Sequence, residues 1–164
     1  MAEKITVDIA LHPLAWKVLH EQYSFDGNAV DVGHGWLYSI IVQGLERNHI
    51  ITAGELRRRP KGLVDGKVYI YYDDFIRYGR FIRLTKQANI SRILYRKERE
   101  RLCYQIAIFH ITTGIERNKV MRYFLDKHGI EEEELSFEAL KKYYQRRYRQ
   151  KEDDYMQDIK QLNE

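Results

Sequence analysis

Apolar and polar residues alternate from Lys4 to Leu11, with Ile5, Val7, Ile9 and Leu11 on one side and Lys4, Thr6, Asp8 and Ala10 on the other. A period of two predicts a half-buried strand. His12-Pro13 follows, and proline in the first helical turn sacrifices no hydrogen bond. A helix is therefore expected through Gln22, with Leu14, Val18, Leu19 and Ala15 or Trp16 as its apolar stripe. Ser24 to Gly35 is rich in turn residues (Asp26-Gly27-Asn28, Gly33-His34-Gly35), with Val30 and Val32 as a short strand between them. Trp36 to Arg47 reads as a second helix, because Leu37, Ile40, Ile41, Gly44 and Leu45 recur at helical spacing.

Val64-Asp65-Gly66-Lys67-Val68 predicts a tight hairpin turn, since Asp-Gly accepts positive φ at both central positions. A tyrosine-rich strand continues from Lys67 to Tyr72. From Asp73 onward the pattern is helical. Asp73-Asp74 can cap a helix containing Phe75, Ile76, Phe81 and Ile82. Ile90, Ile93 and Leu94 begin another stripe, and the charged run Arg96 to Arg101 reads as a solvated face. Leu102 to Ile111 is apolar nearly all round, which predicts the most buried helix of the chain. Thr113-Gly114-Ile115-Glu116 has capping-box spacing. The helix after it places Ile115, Val120 or Met121, Phe124 and Leu125 inward and stops at Gly129. Glu131 to Glu134 precede a last helix capped by Ser136, where the macrodipole favours acids; Phe137, Leu140, Tyr144 and Tyr148 form its stripe. Residues 152–164 are acidic and expected to fray despite Tyr155, Ile159 and Leu162 at helical spacing. The fold class is mostly α with a small β component near the N-terminus (α+β). Residues 1–72 form a mixed α/β scaffold or dimerisation segment, and residues 73–164 a helical segment, the two being compatible with one continuous domain.

Composition narrows the classes. The chain has 164 residues, 44% hydrophobic and 32% charged, an ordinary globular mixture. The single cysteine, Cys103, excludes an internal disulfide framework and a cysteine-rich zinc site. The longest nearly uncharged stretch, Val32 to Leu45, falls short of the ~20 apolar residues of a membrane span. The N-terminus has no apolar run like that of a signal peptide. These features favour the cytoplasm.

Charge changes the picture more. Residues 1–56 carry 3 basic and 7 acidic side chains, residues 57–130 carry 18 and 7, and residues 131–164 carry 7 and 10. A net +4 thus conceals a block of +11 between acidic flanks of −4 and −3. Such a block repels itself unless a polyanion or the flanking acids neutralise it, and both readings stay open. Arginine and tyrosine interleave within it, among them Tyr69, Arg77, Tyr78, Arg92, Tyr95 and Arg96. Arginine forks onto phosphate, and tyrosine stacks on bases or packs half-buried in a core.

Residues 102–128 carry a buried helix, then Gly114 followed by Ile115, then Val120 with polar residues between. In this spacing the segment resembles a helix-turn-helix DNA-binding motif. His110 departs from it, standing where that family prefers a small alanine. The resemblance implies that residues 115–128 are the recognition helix. Arg117, Asn118 and Lys119 would then meet base edges in the major groove, and Arg122 would touch phosphate. Supporting contacts are expected from the basic loop Arg57, Arg58, Arg59 and Lys61. The basic helix supplies Lys141, Lys142, Arg146, Arg147, Arg149 and Lys151, with no acid among residues 141–151.

Enzyme-like signals are sparse. There is no glycine-rich phosphate loop and no His-x-x-x-His pair, and the six histidines are scattered. Cys103 lies in an apolar run without an activating neighbour, as a small core residue does. Asp65-Gly66-Lys67 has the Asp-x-Lys spacing of some metal-dependent nucleases, which also need carboxylates such as Glu46 or Glu55; the turn reading suits it better. No catalytic residue, metal or cofactor is assigned. The expectation is a non-enzymatic DNA-binding protein, with RNA left open, such as a small regulator or accessory factor of a phage or mobile element. A homodimer is the partner that the N-terminal segment would imply. The alternative is a helical assembly protein that acts through a protein partner or self-association.

Overall fold

The structure, a computed structural model, describes residues 3–47 and 62–154. The fold is mostly helical with a small N-terminal sheet. The chain divides into two compact units, Met1–Tyr95 and Arg96–Glu164, the division falling inside a long helix.

In the first unit, β1 (Lys4–Leu11) and helix α1 (Pro13–Gln22) follow the alternation and the proline signal. His12 caps α1 by accepting from the Leu14 N–H through Nδ1 at 3.2 Å. Short strands β2 (Ser24–Phe25) and β3 (Val30–Asp31) lie in the turn-rich segment. Helix α2 (Trp36–Gly44) ends earlier than its periodicity suggests. Leu45 leaves the helical region and is buried in β4 (Leu45–Glu46), where it pairs with Ile82. The remaining elements are β5 (Val64–Tyr71), α3 (Tyr72–Tyr78) and β6 (Phe81–Ile82). The main sheet runs β1-β5-β3-β2, with β1 and β5 antiparallel from Lys4↔Tyr71 to Leu11↔Val64. Its core joins Val7, Ile9, Leu11, Leu19, Val30, Val68 and Ile70 to Leu37 and Ile41 of α2.

Two expectations fail here for physical reasons. Asp65-Gly66 is no hairpin turn: both residues lie inside β5, opposite Ala10 and Ile9. Gly66 lacks positive φ, and its missing side chain makes room for Trp16. A Cβ at Gly66 would sit 2.3 Å from Trp16 Cζ2, while the indole Nε1 donates to the Val64 carbonyl at 2.8 Å. Similarly, Phe81 and Ile82 belong to a strand and not to the preceding helix. Gly79 ends α3 at φ +103, in a backbone conformation that favours glycine, and a Cβ there would strike the Glu46 carbonyl at 2.3 Å. Asp73 and Asp74 occupy the first turn of α3, but the cap position is Tyr71, which forms no side-chain cap bond.

Helix α4 (Leu84–Thr113) is one 30-residue element rather than the separate helical stripes that the pattern suggests. Its first turns belong to the first unit. There the buried amide of Gln87 accepts from the Ala10 N–H at 2.8 Å and donates to the Ile82 carbonyl at 2.6 Å. Ser91 Oγ accepts from the His12 N–H at 2.8 Å.

The second unit contains the rest of α4, then α5 (Arg117–Lys127), α6 (Phe137–Arg147) and a further helical stretch at residues 149–154. Leu102, Cys103, Ile106, Val120, Met121, Leu135, Leu140 and Tyr144 form its interior. Leu102 to Ile111 is not buried all round: Tyr104 and Ile108 project to solvent on the side away from Leu102 and Ile106. The charged run is not wholly solvated either, because Glu98 is buried and paired with Arg101 at 2.6 Å. Gly129 closes α5 at φ +56, and Ser136 Oγ caps α6 by accepting from the Ala139 N–H at 3.1 Å. Residues 152–154 continue helically instead of fraying, and Glu152 is buried. Among the described residues no helix is long and apolar enough to cross a membrane.

Burial pushes the Cys103 thiol up to about 12. Since the thiolate is the reactive form, Cys103 should resist alkylation by iodoacetamide near neutral pH in the native protein and react readily once it is unfolded in denaturant. Rapid modification of the native chain would contradict this burial.

Candidate nucleic-acid interface

The turn between α4 and α5 brings the helix-turn-helix-like segment together. Gly114 adopts φ +69, and its N–H donates to the His110 carbonyl at 2.9 Å. The capping box does not form. Thr113 Oγ1 donates back to the Phe109 carbonyl at 2.6 Å, so Thr113 finishes α4, and the cap of α5 is Glu116 without a side-chain cap bond. Ile115 is consequently left in the connection and is exposed, whereas Val120, Met121, Phe124 and Leu125 face inward.

Glu152 organises the start of α5. It is only 2% exposed, yet three polar groups converge on its carboxylate. Arg117 Nη2 lies 2.8 Å from Oε2, His110 Nε2 lies 3.1 Å from Oε1, and the Tyr144 hydroxyl donates to Oε2 at 2.8 Å. His110 Nδ1 also stands 2.6 Å from the Ile115 carbonyl. A carbonyl and a carboxylate both accept, so each of these contacts is a hydrogen bond only when the ring nitrogen concerned carries the hydrogen. The imidazole occupies the place where a helix-turn-helix would carry alanine, and a buried acid answers it. Burial together with the Glu152 hydrogen bond raises the Tyr144 hydroxyl above its ordinary range. Burial opposes the charge on Arg117, but the Glu152 contact outweighs it and raises its pKa.

The cations singled out in the sequence therefore separate into groups. The charge of Arg117 is spent on Glu152, and Asn118 is half-buried with its Nδ2 3.4 Å from Glu116 Oε1. Lys119 and Arg122 are exposed, as is Lys127. Arg122 lies 5.0 Å from the Phe137 ring centroid and Lys141 lies 5.8 Å from it, so one cation of α5 and one of α6 meet at this ring. Lys142, Arg146, Arg147 and Arg149 are exposed and pair with no acid among the described residues. Arg57, Arg58, Arg59 and Lys61 lie outside the described residues.

Sequence reasoning missed Glu152, which stands in a segment that reads as a fraying acidic tail. A signal is present: Tyr144, Tyr148 and Glu152 recur every fourth residue and continue the inward stripe of α6. Glu46, one carboxylate that an Asp-x-Lys site would recruit, is engaged by Arg83 at 2.7 Å and Lys86 at 3.5 Å, and Glu55 lies outside the described residues. Among the described residues no three metal-ligating side chains come together. Compared with family models, curated proteins and solved structures, the chain matches none.

Proposed function

We propose that this chain is a non-enzymatic nucleic-acid-binding protein whose contacts come from the outward face of α5 and from the basic stretch of α6 through residue 151. One observation carries the reading: Lys142, Arg146, Arg147 and Arg149 stand exposed without an acidic partner among the described residues, and Lys141 of α6 shares the Phe137 ring with the exposed Arg122 of α5. Unpaired surface cations concentrated in one short stretch of chain attract phosphate, and neutralising phosphates releases counterions. Arg117 has no part in this contact set, and Asn118 is at most marginal to it. A regulatory or accessory role, on a mobile element or elsewhere, would follow from such binding.

Gel-shift titration against random duplex and single-stranded DNA tests it. Binding should weaken several-hundred-fold between about 50 and 200 mM salt if about five phosphates are neutralised. The exposed pair Lys142→Glu with Arg146→Glu should weaken binding about tenfold or more on every sequence while leaving the fold intact. Absence of any shift at the lower salt would overturn the proposal.

A second reading, assembly through a protein partner, draws on the exposed apolar side of α4. An apolar cavity of about 420 Å³ opens beside Tyr104, Ala107, Ile108, Ile111 and Tyr148. Concentration-dependent mass in light scattering, without nucleic-acid binding, would favour that reading instead.

A further inference from the structure

We propose that the surface of α5 and α6 selects unpaired strands, single-stranded DNA or RNA, with Tyr123 as its stacking platform; this rests on the nucleic-acid reading above. The first argument is what the start of α5 lacks. A recognition helix enters the major groove by its N-terminal residues. Here that end offers a neutralised Arg117, a half-buried Asn118 and the exposed carboxylate of Glu116. An exposed carboxylate repels phosphate, and of the three residues placed to read base edges two, Arg117 and Asn118, are already engaged, which leaves Lys119 alone.

The second argument is what the side of α5 presents. Lys119, Arg122, Tyr123, Asp126 and Lys127 are all exposed and recur at helical spacings of three and four, which places them on one face. An isolated exposed tyrosine needs no explanation. Tyr123 differs because its ring is held. Although 49% exposed, it stacks on Phe109 with centroids 5.8 Å apart and 24° between planes, and it meets Phe124 edge-on at 5.4 Å. A ring fixed from below and flanked by cations suits a base plane, which is sequence-tolerant and open only in unpaired strands. Lys127 Nζ lies 5.9 Å from the Tyr123 centroid, on a flexible stem that can swing to the phosphate of a stacked nucleotide. Lys141 of α6 adjoins Arg122 over the Phe137 ring and adds a further cation beside this face.

Fluorescence anisotropy of the full chain with labelled oligo-dT and oligo-rU of about a dozen nucleotides, and with a duplex of equal length, tests this. At one low salt concentration the single strands should bind more tightly than the duplex. Tyr123→Ala should weaken single-strand binding roughly 5- to 150-fold, the equivalent of removing one base stack, and weaken duplex binding far less. Tyr123→Phe, which keeps the ring, should retain binding. Circular dichroism confirms that both variants fold. Comparable affinity for dT and rU, or preference for either, supports the inference and assigns the sugar. Tighter duplex binding, or a Tyr123→Ala variant that holds single strands as well as the parent does, overturns the inference and leaves the nucleic-acid proposal standing. Failure to bind any of the three probes removes both.

Discussion

Replacing Glu152 by alanine should destabilise the second unit by about 3 kcal/mol, among the largest single-residue effects in the chain. Breaking a buried ion pair by removing one partner typically costs about 3–5 kcal/mol, because the remaining charge is left uncompensated. The lower end applies here, since the Arg117 and His110 side chains keep 29% and 28% of their exposure and can turn partly to water. The Tyr144 hydroxyl has no such escape, being fully buried. Urea unfolding followed by far-UV circular dichroism would show the loss as a lowered midpoint. Asp153→Ala, one residue away and exposed, serves as the control and should leave the midpoint in place. The double variant Glu152→Ala with Arg117→Ala should recover part of the loss, because it removes the stranded charge as well. An unchanged midpoint for Glu152→Ala would mean that the carboxylate is not buried among these groups.

Gly66→Ala should cost about 2–3 kcal/mol through overpacking. On backbone entropy alone, alanine would gain about 0.5–1 kcal/mol over glycine in a strand. The steric term is larger, because the new Cβ would lie 2.3, 2.5 and 2.8 Å from three indole carbons of Trp16. Trp16 cannot retreat cheaply: the ring is largely buried, and its Nε1 bond to Val64 would break. Thermal unfolding measured by tryptophan fluorescence reads the effect. Trp16→Phe should be less damaging in the Gly66→Ala variant than in the native chain, since a smaller ring relieves the clash. Equal effects on both backgrounds would show that the new methyl and Trp16 do not touch.

Both effects arise where local signals mislead, and for one reason. Lys4–Leu11, Pro13–Gln22 and the Ser136 cap are legible because each signal is local: a period of two, a proline in the first turn, a hydroxyl three residues from the amide it accepts. Asp65-Gly66 carries an equally strong local signal for a turn, and a tryptophan far back in the chain, Trp16, overrides it. The candidate interface divides in the same way. The cations themselves are plain in the sequence, as is the exposed basic side of α6. Which cation is already neutralised is decided by Glu152, brought to His110, Arg117 and Tyr144 from a different helical stretch; a four-residue spacing ties it to Tyr144, but none links it to His110 or Arg117. Gly114 is readable as a break; the loss of the capping box is not, because Thr113 stays in α4, where its hydroxyl donates to the Phe109 carbonyl and accepts from the Ile115 N–H rather than from that of Glu116.

The seat of Gln87 on β1 bears on the chain's resistance to aggregation. Among the described residues β1 is the outer strand of its sheet, and such strands expose ladder donors that a foreign strand can adopt. Here the Ala10 N–H is already given to a side-chain amide, and Lys4 and Asp8 stand charged and exposed farther along the same strand. At the opposite margin β2 is only two residues long. A second chain seeking to extend the sheet along β1 would have to evict Gln87 and bury charge, while along β2 it would find almost nothing to template on. The fold thus carries its own guard against strand-to-strand association, and any dimer made through β1 has to overcome it.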